Sequence, residues 1–256
     1  MTKIEWADEV WNPVTGCTPV SEGCENCYAK RMANRLSGRF GYPVDDPFRI
    51  AFHPDRLDQP LRRRKHRRIF VCSMSDLFHE NVPLDYQMRI FERMSRAKQH
   101  IFIVLTKRPQ NMLQFARDCG LIPWPFTPPP PMMATPSGVI WPENVWPGAS
   151  VENQKRADER IPILLQIPAA VRFVSIEPML GPLEISAFPG LDWVIVGGET
   201  GPGARPMHPD WVRSVRDQCQ EAEVPFFFKQ WGGWLLNYWR EISGTPPKGQ
   251  KREFPK

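Results

Sequence analysis

Cys17, Cys24 and Cys27 occupy eleven consecutive positions of a 256-residue chain, spaced C-x6-C-x2-C. Three thiolates on one loop can converge on a single soft metal centre. Structural zinc wants four ligands, commonly two pairs. No fourth Cys or His lies nearby, and His53 and His79 could join only through the fold. Three cysteines suit a [4Fe–4S] cluster with one iron left open. That iron could take the amino and carboxylate groups of S-adenosylmethionine. Zinc and redox-active thiols stay open as rival readings. Cys72, Cys119 and Cys219 are scattered, so the six cysteines do not form a disulfide scaffold.

A second set of chemical groups sits where apolar runs stop. Ser73-Met74-Ser75-Asp76, Thr106-Lys107-Arg108, Ser150-Val151-Glu152, Ser175-Ile176-Glu177, Gly198-Glu199 and Lys229-Gln230 each follow such a run. Asp76, Lys107, Glu152, Glu177, Glu199 and Lys229 would then converge on one mouth. Such a ring suits a zwitterion, a metal or a polar substrate. Glu177, Glu199, Lys107 and Lys229 are the candidate catalytic groups.

These positions need a scaffold that brings strand ends together. Short β-favouring runs fall at 3–6, 69–73, 100–106, 144–151, 171–176, 193–197 and 224–228. They are near-continuously apolar, as strands buried on both faces are. Helical patterns lie between them at 24–36, 85–98, 110–119, 153–166 and 209–222. In 85–98, Met88, Phe91 and Met94 are expected on one face. Pro162 is expected to interrupt or end the helix begun at 153. Alternating strand and helix predicts parallel strands with crossovers, in an α/β fold. The expected architecture is a partial TIM-type β/α barrel over residues 1–234, with a doubly wound open sheet as the alternative. A Pro-rich insertion covers about 120–148, and 235–256 reads as a tail. In such barrels chemistry collects at the C-terminal strand ends.

Composition narrows the setting. No apolar run reaches the roughly 18 residues of a membrane span, and the N-terminus shows no signal-peptide pattern. A cytoplasmic protein with no membrane partner is expected. The run Arg62-Arg63-Arg64-Lys65-His66-Arg67-Arg68 supplies six positive charges of a chain whose formal balance is +5; without it the balance would be −1. It reads as a solvated surface or as a phosphate-contacting patch for nucleic acid.

The loop, the strand–helix rhythm and the strand ends together resemble the radical SAM superfamily. WNPVTGC with C-x2-CYA, SMSDLF, LTKRP, SVEN, SIEPMLGP, VGGETGPGARP and FFFKQWG resemble more closely a phage- and prophage-associated family of uncharacterised proteins with that barrel. The resemblance spans about residues 4–233. It implies a radical-SAM-like barrel and reductive cleavage of S-adenosylmethionine to a 5′-deoxyadenosyl radical that modifies a substrate. A nucleic acid or nucleotide is the first expected substrate, a peptide or protein the second; a non-enzymatic iron–sulfur or zinc-binding adaptor, and a metal-dependent hydrolase or lyase on the same barrel, are the alternative functions. Cys17, Cys24 and Cys27 map onto the cluster ligands. Ser73, Ser75, Asp76, Ser150 and Glu152 fall where the superfamily contacts methionine or ribose. The resemblance also implies an electron donor and a three-cysteine-motif partner protein. Two departures stand out. The superfamily spacing is C-x3-C-x2-C, and Asn26 stands where an aromatic residue is favoured. Gly197-Gly198-Glu199 resembles a methionine-binding motif but falls on about the sixth strand, so it is not assigned that role.

Overall fold

In the computed structural model, residues 4–122, 141–233 and 253–255 are described. Seven parallel strands form one sheet: β1 (Glu9–Trp11), β4 (Arg68–Val71), β5 (Ile101–Thr106), β6 (Val145–Ser150), β7 (Phe173–Ile176), β8 (Trp193–Gly197) and β9 (Phe226–Gln230). Their spatial order is their chain order. Every crossover therefore steps the same way, and the sheet curls into a half-barrel. A doubly wound sheet would reverse its order at a switch point, so that alternative falls. A small antiparallel pair, β2 (Val14–Thr15) with β3 (Ala51–Phe52), sits beside it; the sequence did not announce it.

Helices α1 (Tyr28–Arg35), α2 (Leu84–Arg96), α3 (Pro109–Asp118), α4 (Gln154–Leu164) and α5 (Pro209–Glu221) follow strands or strand-end loops. The strands alternate their side chains between two cores. Phe102, Val104, Val174, Val194 and Phe228 pack outward with Ile90, Met112, Ile161 and Val215 of the helices. Ile103, Trp146, Phe173, Trp193 and Phe227 fill the inside with Trp6. At the N-terminal end of the barrel Trp6 meets Phe70 at 4.6 Å, and Phe254 meets Trp193 at 5.6 Å. This aromatic plug closes that end.

Several local expectations need correction. The first strand is 9–11, and Ile4–Trp6 instead form a turn that drives Trp6 into the plug. The helix expected from Cys24 starts only at Tyr28, after a short 3-10 turn over Glu22–Cys24. Met88 is 43% exposed while Phe91 and Met94 are buried. Two successive three-residue steps leave Met88 about 120° round the helix from Met94, so Met88 falls off the buried stripe. Pro162 lies inside α4 two residues from its end. That late in the helix it removes one bond of the last turn and does not break the helix. The insertion expected to reach 148 has ended by Trp141, which is buried, and β6 starts at 145. Most of that insertion, and most of the tail, lies outside the described residues. Among the described residues no helix is long and apolar enough to cross a membrane.

Candidate active site at the strand ends

The cysteine loop leaves β1 and lies over the C-terminal ends of the strands. Its root is stitched to the end of β4. Gly16 donates to the Met74 carbonyl at 2.9 Å and Cys17 to the Phe48 carbonyl at 3.0 Å. Gly16 sits at φ +89°, where a Cβ would come within 2.0 Å of the Arg49 carbonyl oxygen. Only glycine fits that approach. The Ser73 hydroxyl donates to Asn12 Oδ1 (3.2 Å), and the Ser75 hydroxyl donates to the Val14 carbonyl (3.0 Å). Both predicted hydroxyls thus hold the loop's root.

Arg108, just past β5, secures the first cysteine. It is 1% exposed. It donates to Cys17 Sγ at 3.6 Å, to Thr18 O and Oγ1 at 3.2 and 3.0 Å, and to Glu80 at 2.9 Å. Buried Asp76 accepts at 3.4 Å from the same Nη1 that meets Cys17. Asp76 also accepts from Thr106 Oγ1 at 2.7 Å and from the Lys107 and Phe78 N–H groups at 3.0 Å. Burial, and then Asp76, push the Cys17 thiol up to about 11, against the pull of Arg108. Such a thiol is protonated at neutral pH and a poor nucleophile. Metal coordination deprotonates a thiol outright.

Two strand-end carboxylates clamp the middle of the loop. Glu152, fully buried after β6, accepts from Ser21 Oγ and, at 2.8 Å, from Arg160. A Cβ on Gly23 would meet its side chain at 2.4 Å, so glycine is required there too. Glu22 pairs with Arg156 of α4 at 2.8 Å and accepts from Asn153. After β8, Glu199 accepts from Asn26 Nδ2 at 2.9 Å and from two guanidinium nitrogens of Arg205 at 2.9 and 2.6 Å. Burial raises the Glu199 pKa, but the bonds from Arg205 and Asn26 outweigh it and hold the carboxyl below its ordinary value. Asn26, odd beside the superfamily pattern, is thus the loop's tie to β8.

The three cysteines are free thiols, each half-buried. Cys17 and Cys27 pack on one small cluster of Ala33, Tyr42, Phe48 and Met74, and Cys24 is near enough to raise the Cys17 pKa. Thiol donors on one held loop fit a cluster with three protein ligands in their chemistry. In their present positions they are not converged: among the described residues no group of three His, Cys, Asp or Glu could hold a metal ion. The histidines that zinc would need are engaged. His53 Nε2 pairs with Thr15 Oγ1 and His79 Nε2 with Thr18 Oγ1, both at 2.8 Å, while His79 Nδ1 accepts from Asn81 N–H.

Beneath and beside the loop, the inner face of the barrel turns polar. Alternation carries Ile103 to Lys107, Trp146 to Ser150, Phe173 through Ser175 to Glu177, and Phe227 to Lys229. Lys107 donates to Ser150 Oγ at 2.9 Å and lies 3.6 Å from Glu152. Lys229 pairs with Glu177 at 2.5 Å, each side chain 22% exposed, and Gln230 joins at 3.4 Å. Ser175 Oγ is buried with no hydrogen-bond partner among the described residues. Sequence reasoning set Arg108 and Ser175 at strand ends and Arg205 inside VGGETGPGARP but gave none of them a role. Alternation from Phe173 would have turned Ser175 inward; nothing local showed what Arg108 and Arg205 hold. Two hollows, of about 250 Å³ beside α5 and about 730 Å³ beside α2 and α3, do not reach this mouth.

A family model described as "Protein of unknown function (DUF5131)" matches residues 1–253, and the chain belongs to that family. No curated protein matches the sequence. Among solved structures, a mutant of spore photoproduct lyase is similar over 84% of this chain at 11% identity, with a TM-score of 0.39. This chain spans about half of that one, 53%. A likeness at that level carries no argument here.

Proposed function

We propose that this member of the DUF5131 family is a radical S-adenosylmethionine enzyme in which Cys17, Cys24 and Cys27 hold a [4Fe–4S] cluster. One observation carries the reading. The loop with the three free thiols is bonded to residues at the ends of β4, β5, β6 and β8, on the face where β/α barrels do chemistry. A bound cluster would supply the electron that cleaves S-adenosylmethionine reductively, fed by an external donor. The protein binds, orients and shields.

Arg108 offsets negative charge at Cys17 while Asp76 and Glu80 hold its guanidinium. Glu152 and Glu199 act as positioning residues, keeping the loop over the mouth. Lys107, Lys229 and Glu177 face that mouth, and the unpaired hydroxyl of Ser175 waits below for a polar atom. With Glu152 balanced by Arg160, two ammonium groups face one carboxylate, which fits an anionic substrate, a nucleotide before a peptide. Ser150 is the candidate of the predicted cofactor contacts with the fewest commitments to the loop.

The test is anaerobic reconstitution with iron and sulfide. Wild type is expected to take up about four irons, give a reduced-cluster spin-resonance signal and, with reductant, release 5′-deoxyadenosine from S-adenosylmethionine. Cys24→Ala is expected to lose all three. Failure of wild type to form a cluster, or an equally stable cluster in Cys24→Ala, overturns the reading. A second reading, a metal-binding adaptor without catalysis, draws on the unconverged thiols. A stable cluster that never cleaves the cofactor would select it. A hydrolase using the acidic ring is disfavoured because the oxygens of Glu152 and Glu199 are already engaged.

A further inference from the structure

The basic run ends on Arg68, the first residue of β4, so it lies at the N-terminal end of the barrel, opposite the cysteine loop. The six residues of β5 separate the two ends by about 17 Å of strand. That is about two Debye lengths at physiological salt. At that separation salt largely screens its field from the mouth, so its effect is greatest where it is.

Three features make it more than a solvated loop. Residues 62–67 are all exposed. Only Arg63 and Arg68 have an acidic partner, Glu9 at 3.0 Å and Asp8 at 3.2 Å, while among the described residues Arg62, Arg64 and Lys65 have none within 4 Å. Arg67 feels Asp8 only at longer range. The backbone beneath is fixed: the Gln99 side chain donates to the Arg63 carbonyl at 2.8 Å, the His66 ring meets the Gln99 carbonyl at 2.7 Å, and Ile101 N–H donates to the Arg67 carbonyl at 2.9 Å. Mutually repelling cations are thus displayed from a rigid frame, whereas a merely solvating loop has no need of one.

We propose that Arg62, Arg64, Lys65 and Arg67 form a docking surface for the phosphate backbone of duplex nucleic acid. The run holds no aromatic residue, so stacking on unpaired bases has no platform there. Among the described residues the exposed large hydrophobics are Val20, Tyr28, Phe40, Val44, Phe52 and Met88, none within the run, so the run itself offers no apolar side chain to insert into a lipid surface. Regularly spaced phosphates are the partner left. The inference stands apart from the reading of the cysteines: the duplex is held on the far face and need not be the substrate.

Fluorescence anisotropy with a mixed-sequence 20-base-pair duplex, from 50 to 200 mM salt, tests it on the full chain. Four phosphate contacts contribute a slope of about −3.6 in log K against log salt, roughly 150-fold in affinity across that range. The variant with Arg62, Arg64, Lys65 and Arg67 all changed to Gln is expected to lose that share of the slope, with an unchanged thermal melt. The variant with Arg62, Arg64 and Arg67 changed to Lys is expected to keep it. No duplex binding at 50 mM, an unchanged slope in the Gln variant, or equal affinity for anionic vesicles or poly-glutamate each overturns the proposal. Two unrelated duplex sequences are expected to bind alike.

Discussion

Glu152 and Glu199 on one side, and Glu177 on the other, reached the ends of neighbouring strands in similar short motifs. Their surroundings differ. Glu152 and Glu199 are 0% and 6% exposed, each with a guanidinium partner and a bond to the cysteine loop. Glu177 keeps one lysine and one amide and remains 22% exposed at the side chain. A carboxylate whose oxygens are all engaged holds structure; one with spare capacity beside an ammonium can still meet a ligand or pass a proton. The mouth is therefore built in two parts, a clamp that places the thiols and an open pair beside it.

Removing a clamp should cost the most. Glu152→Ala leaves Arg160 buried without its charge partner, and loss of one member of such a pair costs about 3–5 kcal/mol. Urea denaturation checks this, and a loss under about 1 kcal/mol would erase the distinction between the two regions. Glu199→Gln should cost about 1.5–3 kcal/mol near neutral pH, the range for hydrogen bonds to a charged group. Its sign with pH follows from the lowered pKa. The carboxylate's stabilisation is fully present above the unfolded value near 4.5 and is lost as pH falls through the lower folded value. The gap in Tm between wild type and Glu199→Gln should thus narrow as the solution is acidified below about 4.5; a gap that stays constant would place the effect elsewhere. Glu177→Gln should change stability least, by about 1 kcal/mol or less. On the proposed function its turnover should still fall on the order of 100-fold if the pair handles a proton, with the spin-resonance signal of a reconstituted cluster retained. Loss of that signal would move Glu177 into the clamp.

Much of this was legible in the chain itself. Apolar runs such as 101–106 and 193–197 marked strands because burial on both faces leaves a local imprint, and the strand–helix rhythm pointed to a parallel sheet. The C-x6-C-x2-C spacing marked the loop, and most strand-end residues were picked out as a set. The period failed where context outweighed pattern. Ile4–Trp6 looks like a strand but serves as a plug, and Pro162 falls late enough in α4 to be tolerated.

The sequence by itself determined the inventory: three thiols on one loop, a succession of strands with polar ends, and one dense run of positive charge. Those are local properties, set by residue type and short-range period. Only the tertiary structure decided which carboxylate holds the loop, that Arg108 reaches Cys17, that Ser175 lacks a partner and that the basic run lies at the far end. The reason is distance along the chain. Ser21 meets Glu152 across 131 residues and Asn26 meets Glu199 across 173. No local pattern encodes which of several like groups will be brought within reach when the sheet curls.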